Sequence, residues 1–231
     1  MKDIRKEPRA VVWDLDGVIV DSADAHNASW LEMAQEFGVD YDPATDFKGI
    51  FGKHNSDIIP SLWGVTDPAE IDRMAMSKES SFRREAENLK ALPGVVELIK
   101  ALANAGWRQG IGSSAPLENI RLLLEVTDLA GYMETIASGE DVSRGKPDPQ
   151  VFLVAFERLG VNPRNGVVIE DAPAGVRAGK AAGAACLGVT TTQTKEMLLE
   201  SGADRVVDSL TEINVSDLAD LVAWNGISDE S

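Results

Sequence analysis

Cysteine is nearly absent: Cys186 is the only one in 231 residues. No internal disulfide can form, which suits a reducing compartment. Basic residues are also short, with 22 Lys and Arg against 38 Asp and Glu and a formal net charge of -16. That imbalance speaks against nucleic acid and anionic membranes as partners, because both need a basic surface. An acidic chain can still bind a small phosphate where a metal and a lysine supply local positive charge. No apolar run approaches the ~20 residues that span a bilayer. Residues 1–9 are charged and hold no apolar stretch, so they do not read as a signal peptide. No heptad pattern points to a coiled coil. The expectation is a soluble, cytoplasmic monomer.

What the chain does have is a core. Hydrophobic residues make up 44%, enough for one large domain or a domain with an insert. Strand-like apolar runs recur at 10–13, 109–112, 135–137, 166–169, 184–189 and 205–207. Helical patterns at 93–103, 117–129 and 149–159 separate most of them. Strands alternating with helices predict a doubly wound parallel sheet covered on both faces, an α/β fold. Sites in such sheets form at the carboxyl ends of the strands. Residues 22–89 break the alternation, with helices expected at 22–37, 55–62 and 68–89 and no strand among them. This reads as a helical insert that divides a core of 1–21 and 90–231, with hinges at 18–21 and 90–93. Trp30, Met33 and Trp63 read as the insert's own core. The acidic end at 228–231 reads as frayed.

Four strand ends carry polar motifs. The first is Val11-Val12-Trp13-Asp14-Leu15-Asp16-Gly17-Val18. An apolar strand that ends on two acids needs a cation there, since unpaired buried carboxylates are costly. A hard metal with oxygen ligands is one such cation; an Asx-type turn is the plainer alternative. The second is Gly112-Ser113-Ser114-Ala115-Pro116, a strand end running into a helix start. Its hydroxyls either hold a phosphoryl oxygen or cap the helix. The third is Gly145-Lys146-Pro147-Asp148-Pro149, where the proline holds Lys146 in extended backbone. Lys146 either meets a phosphoryl group or is an exposed loop lysine. The fourth, Val168-Ile169-Glu170-Asp171, repeats the pattern of the first. Its acids either complete an oxygen-ligand metal site or cap the Ala- and Gly-rich helix that follows.

Together these four motifs resemble the haloacid dehalogenase superfamily. The resemblance runs over roughly residues 9–210 and is carried by Asp14-Leu15-Asp16-Gly17-Val18-Ile19-Val20-Asp21-Ser22, Ser113, Lys146-Pro147-Asp148-Pro149 and Glu170-Asp171-Ala172-Pro173-Ala174-Gly175. It implies a Rossmann-like core with an inserted all-helical cap, the subgroup that includes β-phosphoglucomutases and sugar-phosphate phosphatases. Members named for dehalogenation lack the second acid, so Asp16 argues against that activity. The resemblance implies that Asp14 is a nucleophile forming an aspartyl-phosphate. Asp16 would protonate the leaving group and later deprotonate the incoming water or hydroxyl. Mg²⁺ would be held by the Asp14 side chain, the Asp16 carbonyl and Asp171, with Glu170 as a ligand or its supporting partner. Ser113 and Lys146 would hold the transferring phosphoryl group.

The insert should choose the substrate. His26, Lys53 and Lys78 are candidate substrate contacts, with Ser114 from the core. The plainer reading of each is a solvated helix or loop residue, and for Lys78-Glu79 the mixed-charge helix makes that the default. Gly49 and Gly52 would give the intervening loop its freedom to close. The partner expected is a small phosphorylated metabolite, a sugar phosphate. Two activities fit, a Mg²⁺-dependent phosphatase and a β-phosphoglucomutase-type mutase, and both use the same core residues. His26, Lys53 and Lys78 favour a mutase-like cap, whereas a lysine at position 53 where the mutases have arginine, with the departure Gly49-Ile50-Phe51-Gly52 around it, favours the phosphatase. A non-catalytic phosphate-binding module is disfavoured by the complete set Asp14, Asp16, Ser113, Lys146 and Asp171.

Overall fold

Strand β1, Ala10–Trp13, is apolar at every position and wholly buried. Such a strand must lie mid-sheet with both faces covered. The computed structural model, which describes residues 7–50 and 54–227, places it there. After β1 the chain runs through α1 (Ala23–Phe37), α2 (Phe47–Ile50), α3 (Asn55–Trp63), α4 (Pro68–Glu85) and α5 (Val95–Asn104). It continues through β2 (Arg108–Gly112), α6 (Leu117–Val126), β3 (Thr135–Ala137), α7 (Gln150–Leu159) and β4 (Gly166–Glu170). It closes with α8 (Pro173–Ala181), β5 (Ala185–Val189), α9 (Lys195–Glu200), β6 (Arg205–Val207) and α10 (Val215–Ile227).

The six strands form one parallel sheet in the order β3-β2-β1-β4-β5-β6. In register, Trp13 faces Ile111 on one side and Ile169 on the other. The chain builds outward from β1 to β3, then crosses back to start the other half at β4. The crevice at the carboxyl ends of β1 and β4 is therefore the topological switch point, where ligands bind in open parallel sheets.

Side chains alternate across the strands. Val11, Trp13, Ile111, Val167 and Ile169 pack on one face with Leu98, Ile99 and Leu102 of α5 and Leu218 and Val222 of α10. Val12, Val168 and Cys186 pack on the other with Phe152 and Phe156 of α7 and Val176 of α8. The helices between β1 and α5 bury a separate cluster of Trp30, Met33, Ile50, Ile58, Ile59 and Met74. Trp63 packs on it and donates its indole N–H to the Asp40 carbonyl at 2.7 Å. Two strands of chain join this insert to the sheet side by side: Leu92 N–H donates to the Ile19 carbonyl at 2.8 Å, and Val20 bridges Ala91.

Several boundaries differ from expectation for local reasons. Helix α1 begins at Ala23 because Ser22 turns its hydroxyl to Asp16, and it ends where Gly38 adopts φ 67°. The 68–89 segment stops being α-helical at Glu85 and tightens into a 3₁₀ turn over Ala86–Asn88. The 117–129 segment ends at Val126, ahead of Asp128 with φ 57°. Helices α9 and α10 were not anticipated; Leu198, Leu218 and Val222 bury them against the sheet. Among the described residues no helix is long and apolar enough to cross a membrane. The 228–231 end and Lys53 lie outside the described residues.

Beyond β3 a short turn is held by reciprocal caps. The Ser138 N–H and hydroxyl donate to Asp141 Oδ2 at 2.9 and 3.0 Å, and Arg158 donates to Asp141 Oδ1. The Arg158 and Ser138 donors hold the Asp141 carboxyl well below the usual range. A depressed carboxylate adds stability above its unfolded value, and that stability is lost as the pH falls. Asp141→Asn should therefore cost about 1 kcal/mol near pH 7, the scale of a lost cap, with little added by the screened ion pair. The gap to wild type should shrink below about pH 4 in urea titrations at several pH values. A gap that stays constant down to acid would place the loss elsewhere.

Candidate active site

The end of β1 delivers Asp14, whose N–H extends the ladder by donating to the Ile169 carbonyl at 3.0 Å. The chain then turns sharply at Gly17, with φ 78°. A Cβ on Gly17 would lie 2.0 Å from Asp171 Oδ2, so glycine is required here for conformation and for space. The first of the two acids, Asp14, is seated against the second acid pair, at the end of β4.

Lys146 reaches in from the loop before α7. Its Nζ donates to Asp14 Oδ1 at 2.6 Å and to Glu170 Oε1 at 2.7 Å, above the Phe152 ring at 4.7 Å. It is not an exposed loop lysine. Burial opposes its charge, but Asp14 and Glu170 together hold the ammonium above its ordinary range. Glu170 Oε2 accepts from the N–H groups of Asp171 and Ala172, both at 3.0 Å. Glu170 thus satisfies the backbone just ahead of α8, and neither acid caps that helix. Asp171 instead accepts from the Thr192 hydroxyl. Burial, with Glu170 and Asp14 nearby, raises the Asp171 carboxyl well above its ordinary value. Burial likewise pushes Asp14 up to about 7, against the pull of Lys146.

Oxygens of Asp14, Glu170 and Asp171 lie within 4.8 Å of one another, all three residues buried. Three acids share one ammonium, so the remaining negative charge is offset either by protons, as the raised Asp14 and Asp171 show, or by a further cation. The donors are all hard oxygens, the set that suits Mg²⁺-like ions over thiophilic metals.

Asp16 goes elsewhere, although it is two residues from Asp14. Its Oδ1 accepts from the Ser22 hydroxyl and faces His26 Nε2 at 3.5 Å. Burial would raise its carboxyl, yet His26, Ser22 and Lys78 together bring it below the ordinary value. The His26 ring stacks on Phe82 at 4.1 Å, and its Nδ1 lies 2.9 Å from Lys78 Nζ. Burial and the Lys78 charge keep His26 below its ordinary value. A neutral ring that accepts from Lys78 at Nδ1 carries its proton on Nε2, toward Asp16.

The solvated face expected for Lys78-Glu79 is wrong: the two residues are 2% and 8% exposed. Lys78 Nζ lies 2.9 Å from Glu79 Oε1 and sits over the Trp30 and Phe82 rings. Asp16, His26, Trp30, Lys78, Glu79 and Ser114 line a cavity of about 270 Å³ between insert and sheet. His26 and Lys78 are thus brought to Asp16, as their candidacy as substrate contacts requires. Ser113 is buried at the end of β2, its Oγ accepting from Ala115 N–H at 3.1 Å while its own proton stays free to donate. The local turn bond and a role toward a ligand are compatible in one hydroxyl. Sequence reasoning missed Thr192, Glu79, Asn55 and Asn119. Nothing in their spacing marks them, because each is polar within an ordinary helix or loop.

This arrangement agrees with three comparisons. The chain matches the haloacid dehalogenase-like hydrolase family over residues 11–189. It is 32% identical over 208 residues to hexitol phosphatase A of Escherichia coli (strain K12), covering 90% of this chain and 94% of that one. It is 30% identical to a phosphorylated carbohydrates phosphatase of Thermotoga maritima, covering 89% and 97%. A solved β-phosphoglucomutase of Clostridium difficile superposes with a TM-score of 0.84 at 25% identity, covering 95% and 99%. A family match over most of the chain, with a 32% identical relative covered nearly end to end, shows that the chain belongs to the haloacid dehalogenase-like hydrolase family.

Proposed function

We propose that the protein is a Mg²⁺-dependent phosphatase that hydrolyses a small phosphorylated carbohydrate through an aspartyl-phosphate. The observation that carries this reading is the buried cluster at the switch point: Lys146 bridges Asp14 and Glu170, Asp171 completes the acids, and Asp16 stands apart beside His26. Residues 22–89 act as a cap over a core of 1–21 and 90–231, with the cavity between them as the substrate site.

The Asp14 carboxylate attacks phosphorus, and the bond from phosphorus to the sugar oxygen breaks as the acyl-phosphate forms. Ser22 and His26 favour the ionised form of Asp16 in the free protein, so Asp16 takes up a proton as the ester binds, gives it to the departing oxygen, and then takes one from the water that splits the acyl-phosphate. Inorganic phosphate leaves and Asp14 is restored. Asp16 suits this alternation because its partners, Ser22 and His26, hold it out of the carboxylate cluster. Lys146 and Ser113 hold the phosphoryl oxygens. Mg²⁺ held by the Asp14 and Asp171 side chains and the Asp16 carbonyl would offset charge between the acids and the phosphoryl group. Glu170 supports from behind, since Lys146 and two backbone N–H groups already occupy its oxygens.

Hydrolysis is favoured over mutase chemistry by the far side of the cavity. Among the described residues that line it, Lys78 is the only lysine or arginine, and Glu79 already pairs with it. Glu140 adds further negative charge. Among the described residues a second phosphate would find little to hold it there, whereas neutral hydroxyls would find Asn55 and Ser56. The mutase reading draws on the likeness to β-phosphoglucomutase. Two assays with Mg²⁺ separate them: phosphate release from a panel of hexose and hexitol phosphates, and conversion of β-glucose 1-phosphate to glucose 6-phosphate with a trace of bisphosphate. The expected result is phosphate release without isomer. Isomer with little free phosphate would assign the mutase.

A further inference from the structure

Lys78 is an ammonium almost wholly inside the protein, with two aromatic rings for neighbours. A charge there needs a fixed counter-charge. Glu79 provides it, and Glu79 is in turn held from three sides. Its Oε1 accepts from Lys78 and from Asn55 Nδ2 at 2.7 Å, and its Oε2 accepts from Asn119 Nδ2. Asn55 and Lys78 belong to the insert, but Asn119 stands on α6, packed on the sheet, and is 0% exposed. The Asn119 amide has no freedom to flip, because its Oδ1 accepts from Arg83 Nη1 at 3.2 Å. Glu79 and Arg83 are one turn apart on α4, so the insert grips this one core side chain from both ends.

The contacts thus run in a line from core to insert and back: Asp16, His26, Lys78, Glu79, Asn119. Opening the insert would break the line at its two ends, Asp16–His26 and Glu79–Asn119. We propose that Asn119 and Glu79 form a positioning pair, by which closure of the insert fixes Lys78 and His26 over the leaving-group side of the site. Neither residue touches the phosphoryl cluster. Asn119 acts through Glu79, and Glu79 acts through Lys78. The pair therefore matters for esters whose departing alcohol must be gripped and protonated, and not for esters with a good leaving group. This inference rests on the phosphatase reading.

The test compares Asn119→Ala with wild type on two substrates, a hexose monophosphate and p-nitrophenyl phosphate. The aryl ester needs little protonation of its leaving group and little grip on it. For the hexose ester kcat should fall on the order of tenfold to a hundredfold, the effect of losing a hydrogen bond to a charged group. For the aryl ester kcat should stay within about twofold. Glu79→Gln should show the same split, because it keeps the shape and removes the counter-charge. Parallel losses on both esters, or no loss on either, would overturn the pair. Hydrogen exchange gives a readout free of turnover: amides of α4 and α6 should exchange faster in Asn119→Ala, with those of β1 and β4 unchanged. Wild type inert on every phosphate ester would sink the phosphatase reading, and exchange would still decide the pair, since unchanged protection of α4 and α6 refutes it.

Discussion

Asp14→Asn should abolish phosphate release, by on the order of a thousandfold or more, while leaving the metal-free protein at least as stable as wild type. The loss of turnover follows from removing the proposed nucleophile, which no neighbour can replace. Glu170 is occupied by Lys146 and two N–H groups, and Asp171 by Thr192. The stability follows from crowding. Asp14, Glu170 and Asp171 press three carboxylates around one lysine. Burial pushes Asp14 up to about 7 from 3.8. A carboxyl raised on folding binds more protons in the native state, so wild type loses stability as the pH climbs from about 4 to about 7 and levels off above it. The Asn variant lacks this slope. Its advantage in EDTA should open across that window and hold at pH 8. Mg²⁺ should reverse the order, since a ligand at a hundred times its Kd adds about 2.7 kcal/mol to wild type. Thermal melts of both proteins at pH 5 and 8, with EDTA and with Mg²⁺, check each part. Retained turnover would remove Asp14 from its role. A variant less stable than wild type at pH 8 in EDTA would refute the charge crowding.

Gly175→Ala should damage both stability and activity, although alanine normally favours a helix. A Cβ at this position would lie 1.7 Å from Glu170 Oε1 and 1.8 Å from its carboxyl carbon. The glycine is needed for close approach and not for its backbone angle. Glu170 cannot step aside cheaply: its side chain is 1% exposed and makes bonds to Lys146, Asp171 N–H and Ala172 N–H. Displacing it leaves a buried donor set short of its acceptor, a loss of about 2–4 kcal/mol. In a chain of this size that lowers Tm by roughly 5–15 °C. Lys146, freed from one partner, should swing toward Asp14, and kcat should fall at least about tenfold. A second change isolates the cause. Glu170→Ala in the Gly175→Ala background removes the clashing carboxylate, so the two losses should be far from additive. Additive losses, or a Tm within about 2 °C of wild type for the single change, would mean that the helix shifts to make room.

The sheet and its chemistry were legible because they rest on local rules. Val11-Val12-Trp13 and Val167-Val168-Ile169 are unbroken apolar runs, which only central parallel strands produce, and each ends on acids that need a cation. Ser113 and Lys146 follow in strand-end loops, so the order of the motifs along the chain already places them at one edge of one sheet. The insert was equally visible as helices without strands, and Trp30, Met33 and Trp63 do pack into its separate core. Helix α10 was missed because its interest lies in what it covers: Leu218 and Val222 acquire meaning only against a sheet assembled from elsewhere in the chain.

The division falls where sequence distance stops informing spatial distance. By itself the sequence determined the alternation of strands and helices, the acids and lysine at the strand ends, and so the family and the phosphoryl chemistry. Tertiary structure decided that Asp14 and Asp16, two residues apart, serve different partners: the strand ends at Trp13, its alternation no longer governs the two acids, and one meets Lys146 while the other meets His26. It decided that Glu170 satisfies the backbone and the lysine while Asp171 faces Thr192. It also decided that Lys78-Glu79, a pair that reads as surface charge, is buried between insert and core with Asn119 as its anchor. A charge pattern on one helix does not state which face will be covered. The element packed against that face does, and here α1 of the insert covers Lys78 while α6 of the core reaches Glu79.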